Sequence, residues 1–269
     1  MSETTTRMVG RGETRVHPTA VIDPDAELGV GVDVGPYAII GPSVHVGDGT
    51  QIGPHVLLER NTRVGEDCRV AKGAVLGTDP QDLKYAGEET LLLVGDRTTV
   101  REYATLNRGT AASGRTVVGT DCLLMAYTHV AHDCEIGNHV IISNATQMAG
   151  HVVIEDWAIL SGLVAIHQFV RIGAHSFVGG ASRIPQNVPP YCSVVGNPPK
   201  LYGLNKVGLE RRGFADEVRV ALKKAYRILF QSGLNVSQGI QRAEAEVEPI
   251  PEVLHLLAFI KNSERGITV

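Results

Sequence analysis

Cysteine, aromatic side chains and long apolar runs are all scarce in this chain of 269 residues. The four cysteines form no Cys-X-X-Cys pair, which argues against a disulfide framework or a zinc ribbon. No apolar run approaches the roughly 18 residues of a transmembrane helix, and the polar N-terminus does not resemble a secretory signal. A net charge of -4 gives no support for a nucleic-acid binder. We therefore expect a soluble cytoplasmic protein without stable membrane insertion.

The chain is rich in glycine, with 30 residues, and it carries a six-residue repeat. From Val16 to Ile184 every sixth residue is aliphatic or methionine, except Asp82, Glu88 and Ala112. A period of six suits a short strand followed by a tight turn, whereas an α-helix repeats every 3.6 residues. Three such units would close a triangular coil, and stacked coils would form a parallel β-helix. Hexapeptide-repeat proteins resemble this pattern, and that resemblance implies a left-handed coil.

Two stretches interrupt the repeat, residues 78–91 and residues 109–116. Insertions in a solenoid form loops on one side and often carry binding residues. From about Lys206 the apolar residues fall at helical spacing, Asn235 is placed to begin a helix, and Pro251 is placed to open the last one. The sequence predicts three parts, namely a polar tail (1–15), a β-helix (16–190) and a small C-terminal helical domain (191–269).

Several residues that could take part in catalysis or ligand binding lie along one edge of the predicted solenoid. Gly150 lies three six-residue units after His132, and Gln168 lies three more units after Gly150. His151 and His167 fall within one residue of the same line. With about 4.8 Å between coils, the three positions would span about 10 Å. This length predicts a cleft for a small molecule.

His132 and Asp133 form the candidate catalytic pair. Imidazole titrates near neutrality and a carboxylate can fix its tautomer, so the pair is suited to general-base catalysis. We expect both residues to occupy an outward turn; a solvated turn histidine is the alternative. A metal site is the alternative to general-base catalysis. Zinc requires imidazole nitrogens about 2.0–2.1 Å from the ion, so its ligands must converge tightly. The ligand histidines of hexapeptide-repeat carbonic anhydrases are five apart, whereas His129 and His132 are three apart, so we predict no metal.

A long, ordered set of segments resembles the UDP-N-acetylglucosamine O-acyltransferases that begin lipid A synthesis in Gram-negative bacteria. The matching segments are QDLKYAGE (81–88), LNRGT (106–110), LLMAYTHVAHDC (123–134), AGH (149–151), AIHQF (165–169), IGAHSFVGG (172–180), NVPPY (187–191) and GLERRGF (208–214). The resemblance implies transfer of a 3-hydroxyacyl chain from acyl carrier protein to the 3-hydroxyl of UDP-N-acetylglucosamine. It also implies a homotrimer with sites between subunits and no cofactor beyond the carrier's phosphopantetheine.

The same resemblance assigns roles to three catalytic positions. His132 would take the proton from the sugar 3-hydroxyl, and Asp133 would support it. The backbone N–H of Gly150 would stabilise the oxyanion of the tetrahedral intermediate, a role that needs no side chain.

The resemblance also implies a set of substrate-binding residues, with Asp82 and Lys84 reaching in from the 78–91 loop, which we expect to come from a neighbouring subunit. Two arginines would meet phosphate, to which the guanidinium fork is well suited. Gly180 matches the residue that limits acyl-chain length. The remaining binding residues and the two arginines are His129, His151, His167, Gln168, Asn205, Arg211 and Arg212.

Three departures from the family pattern affect the nucleotide contacts. Asn107 stands where several relatives carry histidine, Val207 replaces an acidic residue, and Glu210 replaces a lysine. These departures leave open whether the acceptor is the ordinary sugar or its 3-amino analogue.

Three alternative functions remain. They are an acyl-CoA-dependent hexapeptide-repeat enzyme, the later N-acyltransferase of the same pathway and a non-catalytic solenoid. The later enzyme carries an extra N-terminal uridine-binding domain, for which we expect no room before the first repeat.

Basic residues concentrate between residues 200 and 230. Eight lysines and arginines there stand against three acids, a net of +5, which leaves about -9 for the rest of the chain. A basic patch on an acidic protein would steer an acidic carrier protein toward it. The alternative is an ordinary solvated helix face, and Lys223 and Lys224 are the residues that test it.

Overall fold

The computed structural model describes residues 12–269, so residues 1–11 of the predicted polar tail lie outside the described part. Most of the strands are two residues long and alternate with tight turns. They stack into three sheets, one on each face of a prism. The chain is a left-handed parallel β-helix followed by four helices.

The first face contains β1 (Arg15–Val16), β4 (Asp33–Val34), β7 (Gln51–Ile52), β10 (Arg69–Val70), β13 (Thr99–Val100), β16 (Leu123–Leu124), β19 (Ile141–Ile142), β22 (Ile159–Leu160), β25 (Phe177–Val178), β27 (Cys192–Gly196) and β28 (Pro199–Leu204). The second face contains β2 (Val21–Ile22), β5 (Ile39–Ile40), β8 (Leu57–Leu58), β11 (Val75–Thr78), β14 (Thr105–Asn107), β17 (His129–Val130), β20 (Gln147–Met148), β23 (Ala165–Ile166) and β26 (Arg183–Ile184). The third face contains β3 (Glu27–Leu28), β6 (His45–Val46), β9 (Thr62–Val64), β12 (Leu91–Val94), β15 (Arg115–Val118), β18 (Glu135–Ile136), β21 (Val153–Ile154) and β24 (Arg171–Ile172).

The strand register shows why the six-residue repeat stays in phase across its two interruptions. Val34 pairs with Ile52, three six-residue units further on, as the triangular coil requires. Val70 pairs with Val100, five units further on, because the 78–91 loop adds two units to one coil. Val94 pairs with Val118, four units further on, because the 109–116 loop adds one. Both insertions are whole numbers of units, so the inward column resumes in phase after each loop.

The inward column forms the core of the prism. Leu58, Leu76 and Leu106 are fully buried, whereas Val16 on the first coil is 44% exposed because no described coil covers it from below. Cysteines fill the narrow corners, and burial raises the pKa of the Cys122 thiol to about 11. A thiol that resists ionisation packs as a small apolar group rather than acting as a nucleophile.

The β structure continues beyond the expected boundary at residue 190. Strand β27 pairs in parallel with β25, and β28 then pairs antiparallel with β27 and ends at Leu204. Phe177 pairs with Ser193, so the last coil is shorter than the three full units of the coils before it. The six-residue repeat therefore ends at Ile184, while the sheet of the first face continues to Leu204 before the helices begin.

Four helices follow, at Lys206–Arg211 (α1), Asp216–Gln231 (α2), Val236–Glu246 (α3) and Pro251–Lys261 (α4). Asn235 caps α3 through a reciprocal capping box with Gln238, and Pro251 opens α4 at its first turn. The helices share an apolar core of their own, centred on Leu222, Ala225 and Leu256. Among residues 12–269, no helix combines the length and apolarity needed to cross a membrane.

A polar network joins the helices to the β-helix. The Tyr191 hydroxyl lies 3.0 Å from His255 Nδ1, and His255 Nε2 lies 3.0 Å from a Glu155 carboxylate oxygen. Arg171 donates to the other Glu155 oxygen at 3.2 Å. Because each carboxylate oxygen has a partner, the half-buried Glu155 can remain charged while holding α4 against the third face.

Candidate active site

A cavity of about 940 Å³ opens on the second face, above β17, β20 and β23. The 78–91 loop of the same chain forms one wall, and the turns that follow the three strands form another. That the loop also reaches the site of a neighbouring subunit stays a prediction. Seven residues predicted from the sequence share this cavity, namely Asp82, Lys84, His129, His132, Gly150, His167 and Gln168.

The pair at the centre of the site is more enclosed than the sequence indicated. His132 Nδ1 lies 2.7 Å from Asp133 Oδ2, and the two residues are only 6% and 4% exposed. Both lie in an outward turn, as predicted, and their burial argues against the alternative of a solvated turn histidine. Thr110 and Ser113 of the 109–116 loop bond to the Asp133 carboxylate, so the loop packs over the turn.

The Asp133 carboxylate accepts hydrogen bonds at both oxygens. Burial by itself would raise the pKa of Asp133, but hydrogen bonds from Ser113, His132 and Thr110 outweigh it and lower the pKa to about 2. A carboxylate with a lowered pKa contributes stability above its usual value of 3.8 and loses it as the pH falls toward 2. Asp133 is therefore ionised at neutral pH and holds a proton on His132 Nδ1, which leaves the Nε2 lone pair free to act as a base.

Gly150 is required by the position of the His132 imidazole. A Cβ at residue 150 would lie 2.4 Å from His132 Cε1 and 2.6 Å from His132 Nε2. Real Cβ atoms do not approach other atoms so closely, so only glycine fits beside the ring. Within residues 12–269 the Gly150 N–H has no hydrogen-bond acceptor, so it is a free donor on the residue that packs against the His132 ring. The structure therefore brings the His132 imidazole and the backbone of Gly150 into direct contact.

His129 lies beside the base on the cavity wall. Its Nδ1 is 2.7 Å from the Thr105 hydroxyl, a contact between adjacent strands β14 and β17. Burial and the neighbouring His132 lower the pKa of His129. At neutral pH it is an uncharged imidazole suited to hydrogen bonding with a ligand rather than to pairing with a phosphate.

Of the other two histidines predicted for the site, His167 lines the His132 cavity and His151 does not. His167 lines the cavity, and its Nδ1 lies 2.6 Å from an Arg265 nitrogen, so Nδ1 accepts and Nε2 carries the proton. His151 faces away from the cavity, stacks on Phe169 with ring centres 4.6 Å apart, and places Nε2 3.5 Å from Asp133 Oδ2. Within one chain His151 therefore lines a different cavity from His132, and its contact with substrate stays a prediction.

A metal would find its best ligands at His132, Asp133 and His151, whose nearest ligand atoms all lie within 4.8 Å of one another. Both Asp133 oxygens, however, already accept hydrogen bonds from N–H or O–H groups of Thr110, Ser113 and His132. A cation would have to displace these donors, whose hydrogens point at the oxygens it needs. The donor set is that of a hydrogen-bonded base rather than a metal centre.

Asn205, Arg211 and Arg212 lie elsewhere, around a cavity of about 750 Å³ between the first face and the helices. Arg212 stacks over Trp157 with its guanidinium carbon 5.1 Å from the ring centre. Burial, with Arg212 nearby, lowers the pKa of His175 to about 4. Within one chain the structure therefore separates these three residues from the His132 cavity.

Asn205 has a structural role in addition to its place in this second cavity. Its side-chain oxygen accepts from the Gly208 N–H at 3.1 Å and caps α1, while its nitrogen donates to the His175 carbonyl at 2.9 Å. Val207 lines the same cavity. Asn107 is buried, and its amide nitrogen donates a hydrogen bond to the Thr78 hydroxyl at 2.7 Å. Asn107 therefore holds the start of the 78–91 loop.

Gly180 lies in a corner turn outside both cavities. A Cβ there would be 3.4 Å from the Gly162 carbonyl oxygen and 3.8 Å from Ser161 Cβ, which are ordinary contacts. A side chain at this position can therefore be introduced without displacing the backbone.

Sequence reasoning missed four residues that build the site, namely Arg108, Thr110, Ser113 and Arg265. Thr110 and Ser113 lie in the 109–116 insertion, which was predicted to carry binding residues, and their pattern indicated no contact with Asp133. Arg265 is 98 residues from His167 in the chain, so no local spacing relates them.

Residues 115–150 match the family model of bacterial transferase hexapeptides, and residues 187–268 match the second domain of UDP-N-acetylglucosamine O-acyltransferases. The coil and the His–Asp pair beside a glycine therefore belong to a hexapeptide-repeat transferase.

Full-length relatives show the family. The chain is 53% identical over 255 residues to an acyl-[acyl-carrier-protein]--UDP-N-acetylglucosamine O-acyltransferase from Myxococcus xanthus, covering 94% of this chain and 99% of the relative. It is 55% identical over 257 residues to the enzyme of that name from Paracidovorax citrulli, covering 94% and 98%. The chain belongs to the UDP-N-acetylglucosamine O-acyltransferase family.

Solved structures agree with this assignment. A UDP-N-acetylglucosamine acyltransferase from Bacteroides fragilis superposes with a TM-score of 0.92 at 40% identity, covering 95% of this chain and all of that one. The Moraxella catarrhalis UDP-N-acetylglucosamine O-acyltransferase superposes with a TM-score of 0.91 at 39% identity, covering 94% and 99%. The likeness includes both the coil and the helices.

Proposed function

We propose that this protein transfers a 3-hydroxyacyl chain from acyl carrier protein to the 3-hydroxyl of UDP-N-acetylglucosamine, the first step of lipid A synthesis. The observation that carries the proposal is the His132–Asp133 pair packed against Gly150, whose N–H has no acceptor within residues 12–269. That arrangement suits acyl transfer to a hydroxyl, because it supplies a base and an oxyanion donor at one point.

The chemistry proceeds in two steps. His132 Nε2 accepts the proton of the sugar 3-hydroxyl while the oxygen attacks the thioester carbonyl, and the negative charge that develops on the carbonyl oxygen is stabilised by the Gly150 N–H. The tetrahedral intermediate then expels the phosphopantetheine sulfur, which takes the proton from His132. The ester forms, the thiol leaves, and the imidazole returns to its starting state without a metal or a further cofactor.

An assay with the pure protein tests the proposal. UDP-N-acetylglucosamine and, separately, its 3-amino analogue are incubated with 3-hydroxyacyl carrier proteins of graded chain length or with acetyl-CoA, and the products are analysed by mass spectrometry. We expect an alkali-labile ester on the 3-hydroxyl. An alkali-stable amide, formed only from the 3-amino analogue, would identify the N-acylating alternative, and acetyl transfer from acetyl-CoA would contradict the carrier-protein donor.

We propose a homotrimer whose active sites lie between subunits, in the cytoplasm where acyl carrier protein occurs. One corner of the prism exposes a row of apolar and aromatic side chains, including Tyr37, Tyr103, Tyr127 and Leu163. An exposed row of this kind is suited to burial against a second copy. Arg211 lies outside the His132 cavity within one chain, so a neighbouring subunit is the means by which it would reach the nucleotide.

Light scattering on the active protein is expected to give about three times the chain mass of 28.8 kDa. The measurement is made at the protein concentration of the activity assay, so that assembly and turnover are compared directly. A stable, fully active species with the mass of a single chain would contradict both the trimer and the shared site.

We propose that Gly180 admits a medium or long acyl chain because residue 180 has no side chain. Gly180→Met is expected to shift the preferred donor toward shorter chains, because the added side chain occupies space and the backbone accepts a Cβ there. Competition among donors of graded length, followed by mass spectrometry, measures the shift. An unchanged product distribution would place the end of the acyl groove elsewhere.

The basic surface beside the second cavity is proposed to receive the acidic carrier protein. Lys223 and Arg227 line this cavity, whereas the Lys224 ammonium donates to the Glu246 carbonyl oxygen and so has a structural partner. The charge-reversal test is therefore made at Lys223 and Arg227.

Lys223→Glu combined with Arg227→Glu is expected to raise KM for acyl carrier protein several-fold at low salt, where charges are screened least. The same double variant is expected to leave KM for UDP-N-acetylglucosamine nearly unchanged. Steady-state kinetics at low and high salt measure both constants. Carrier-protein kinetics that do not change at low salt would show that this is an ordinary solvated face.

A further inference from the structure

Arg108 is the largest fully buried side chain in residues 12–269, and the proposed chemistry does not use it. Its guanidinium lies beneath the 78–91 loop, which forms one wall of the His132 cavity. We propose that Arg108 is a positioning residue that holds this loop, and with it Asp82 and Lys84, over the acceptor site. The inference rests on the proposed function for its kinetic consequence only.

Apart from an approach to Glu59, the contacts of the Arg108 guanidinium lead to the start and the middle of the loop. One terminal nitrogen donates to the Gly77 carbonyl oxygen, immediately before the loop, and also lies 3.8 Å from Glu59. The other donates to the Asp79 carboxylate and, at 3.1 Å, to the Tyr85 hydroxyl. One side chain thus joins the first turn of the loop to its middle.

The bonds within the loop pass this restraint on to the cavity wall. The Tyr85 hydroxyl donates to the Glu88 carbonyl oxygen at 2.9 Å, and the Tyr85 N–H donates to the Asp82 carbonyl oxygen at 3.0 Å. The Asp82 carboxylate in turn accepts from the Lys84 N–H at 2.9 Å. A chain of hydrogen bonds therefore runs from the buried guanidinium to the two residues that face the cavity.

The segment that carries Arg108 also reaches the catalytic pair. Asn107 donates to Thr78 and to the Asp79 carbonyl oxygen, while Thr110 bonds the Asp133 carboxylate through both its N–H and its hydroxyl. Four consecutive residues thus hold the acceptor loop on one side and orient the base on the other. The loop and the base are positioned relative to one another by a single rigid piece of backbone.

Arginine is required at this position by the number and direction of its partners. The planar guanidinium presents several N–H groups in fixed directions, whereas a lysine ammonium presents one compact charge. An ammonium placed near Asp79 cannot also reach Gly77 and Tyr85. Arg108→Lys is therefore expected to keep the charge and to lose part of the positioning.

The test uses the full-length protein and two readouts. Hydrogen–deuterium exchange of residues 79–88 is measured without substrate, and KM and kcat are measured for UDP-N-acetylglucosamine. For Arg108→Gln we expect faster exchange confined to that loop and a rise of about 10- to 100-fold in KM, with kcat changed much less. Arg108→Lys is expected to fall between Arg108→Gln and the unmodified protein.

A double-mutant cycle separates positioning from a merely structural role. In a Lys84→Ala background, Arg108→Gln is expected to add less than about twofold to KM, because the contact it positions is already lost. Arg97→Gln is the matched control, since it breaks a two-bond pair with Asp121 at another corner of the coil. That control is expected to leave both loop exchange and KM unchanged.

Unchanged loop exchange in Arg108→Gln, or fully additive effects with Lys84→Ala, would overturn the proposal. If Arg108→Gln does not fold, Tyr85→Phe removes only the hydroxyl that links Arg108 to Glu88. It is expected to give the same two effects at smaller size, and their absence would equally overturn the inference. If the unmodified protein does not acylate UDP-N-acetylglucosamine, the proposed function fails and loop exchange alone decides the role of Arg108.

Discussion

His132→Ala is expected to lower kcat by about 10²- to 10⁴-fold, the usual contribution of a general base. The substitution removes Nε2, which takes the proton from the attacking hydroxyl, while the Gly150 N–H remains in place. Because His132 is buried against Asp133, we also expect a loss of about 1–3 kcal/mol in unfolding free energy, from one hydrogen bond to a charged group. Single-turnover kinetics and thermal unfolding measure the two effects separately.

A matched control for this substitution is His139→Ala. His139 stacks on Trp157 at another corner of the prism, with ring centres 3.9 Å apart. Its removal is expected to leave kcat unchanged. A His132→Ala variant that retains a third or more of the activity would show that His132 is not the base.

A chelator provides a second check on the mechanism, because the hydrogen-bonded pair needs no ion. We expect no loss of activity on treatment with a strong chelator. Activity that is lost with the chelator and restored by zinc would replace the base mechanism with a metal centre at His132, Asp133 and His151.

Gly150→Ala is expected to reduce kcat by about 10²- to 10³-fold, as the loss of one oxyanion donor does in other acyl-transfer enzymes. The added methyl would lie 2.4 Å from His132 Cε1, so the ring or the backbone must move. Either movement separates the base from the Gly150 N–H. We expect KM values to change far less than kcat, because the binding walls contributed by the 78–91 loop are untouched.

The same methyl can be added where it meets no obstacle. Gly239 lies inside α3, and a Cβ there would be 3.5 Å from its nearest neighbour, an ordinary contact. Gly239→Ala is expected to keep full activity and to be neutral or slightly stabilising, since alanine favours helices over glycine. A Gly150→Ala enzyme with normal kcat would show that the collision is relieved without disturbing the pair and that the N–H is not a catalytic donor.

The site was predicted from the sequence where it depends on the repeat, and was missed where it depends on the loops. His132, Gly150 and Gln168 could be aligned by counting six-residue units in threes, because each coil has the same length and stacks directly on the next. Within one chain His151 lies outside the cavity that His132 lines, because counting residues gives height along the coil and not the direction of a side chain at a turn. Thr110, Ser113 and Arg108 were missed, because their contacts depend on how an irregular insertion folds back.

By itself, the sequence determined the β-helix, the positions of its insertions and the start of the helices. Those features follow from local periodicity: an aliphatic residue every six positions can be buried only inside a short-stranded coil. Only the tertiary structure decided that His132 and Asp133 lie beneath the 109–116 loop, that Arg211 and Arg212 belong to a separate cavity, and that Arg108 supports the cavity wall. These depend on contacts between segments far apart in the chain, and pairings of that kind leave no periodic trace in the sequence.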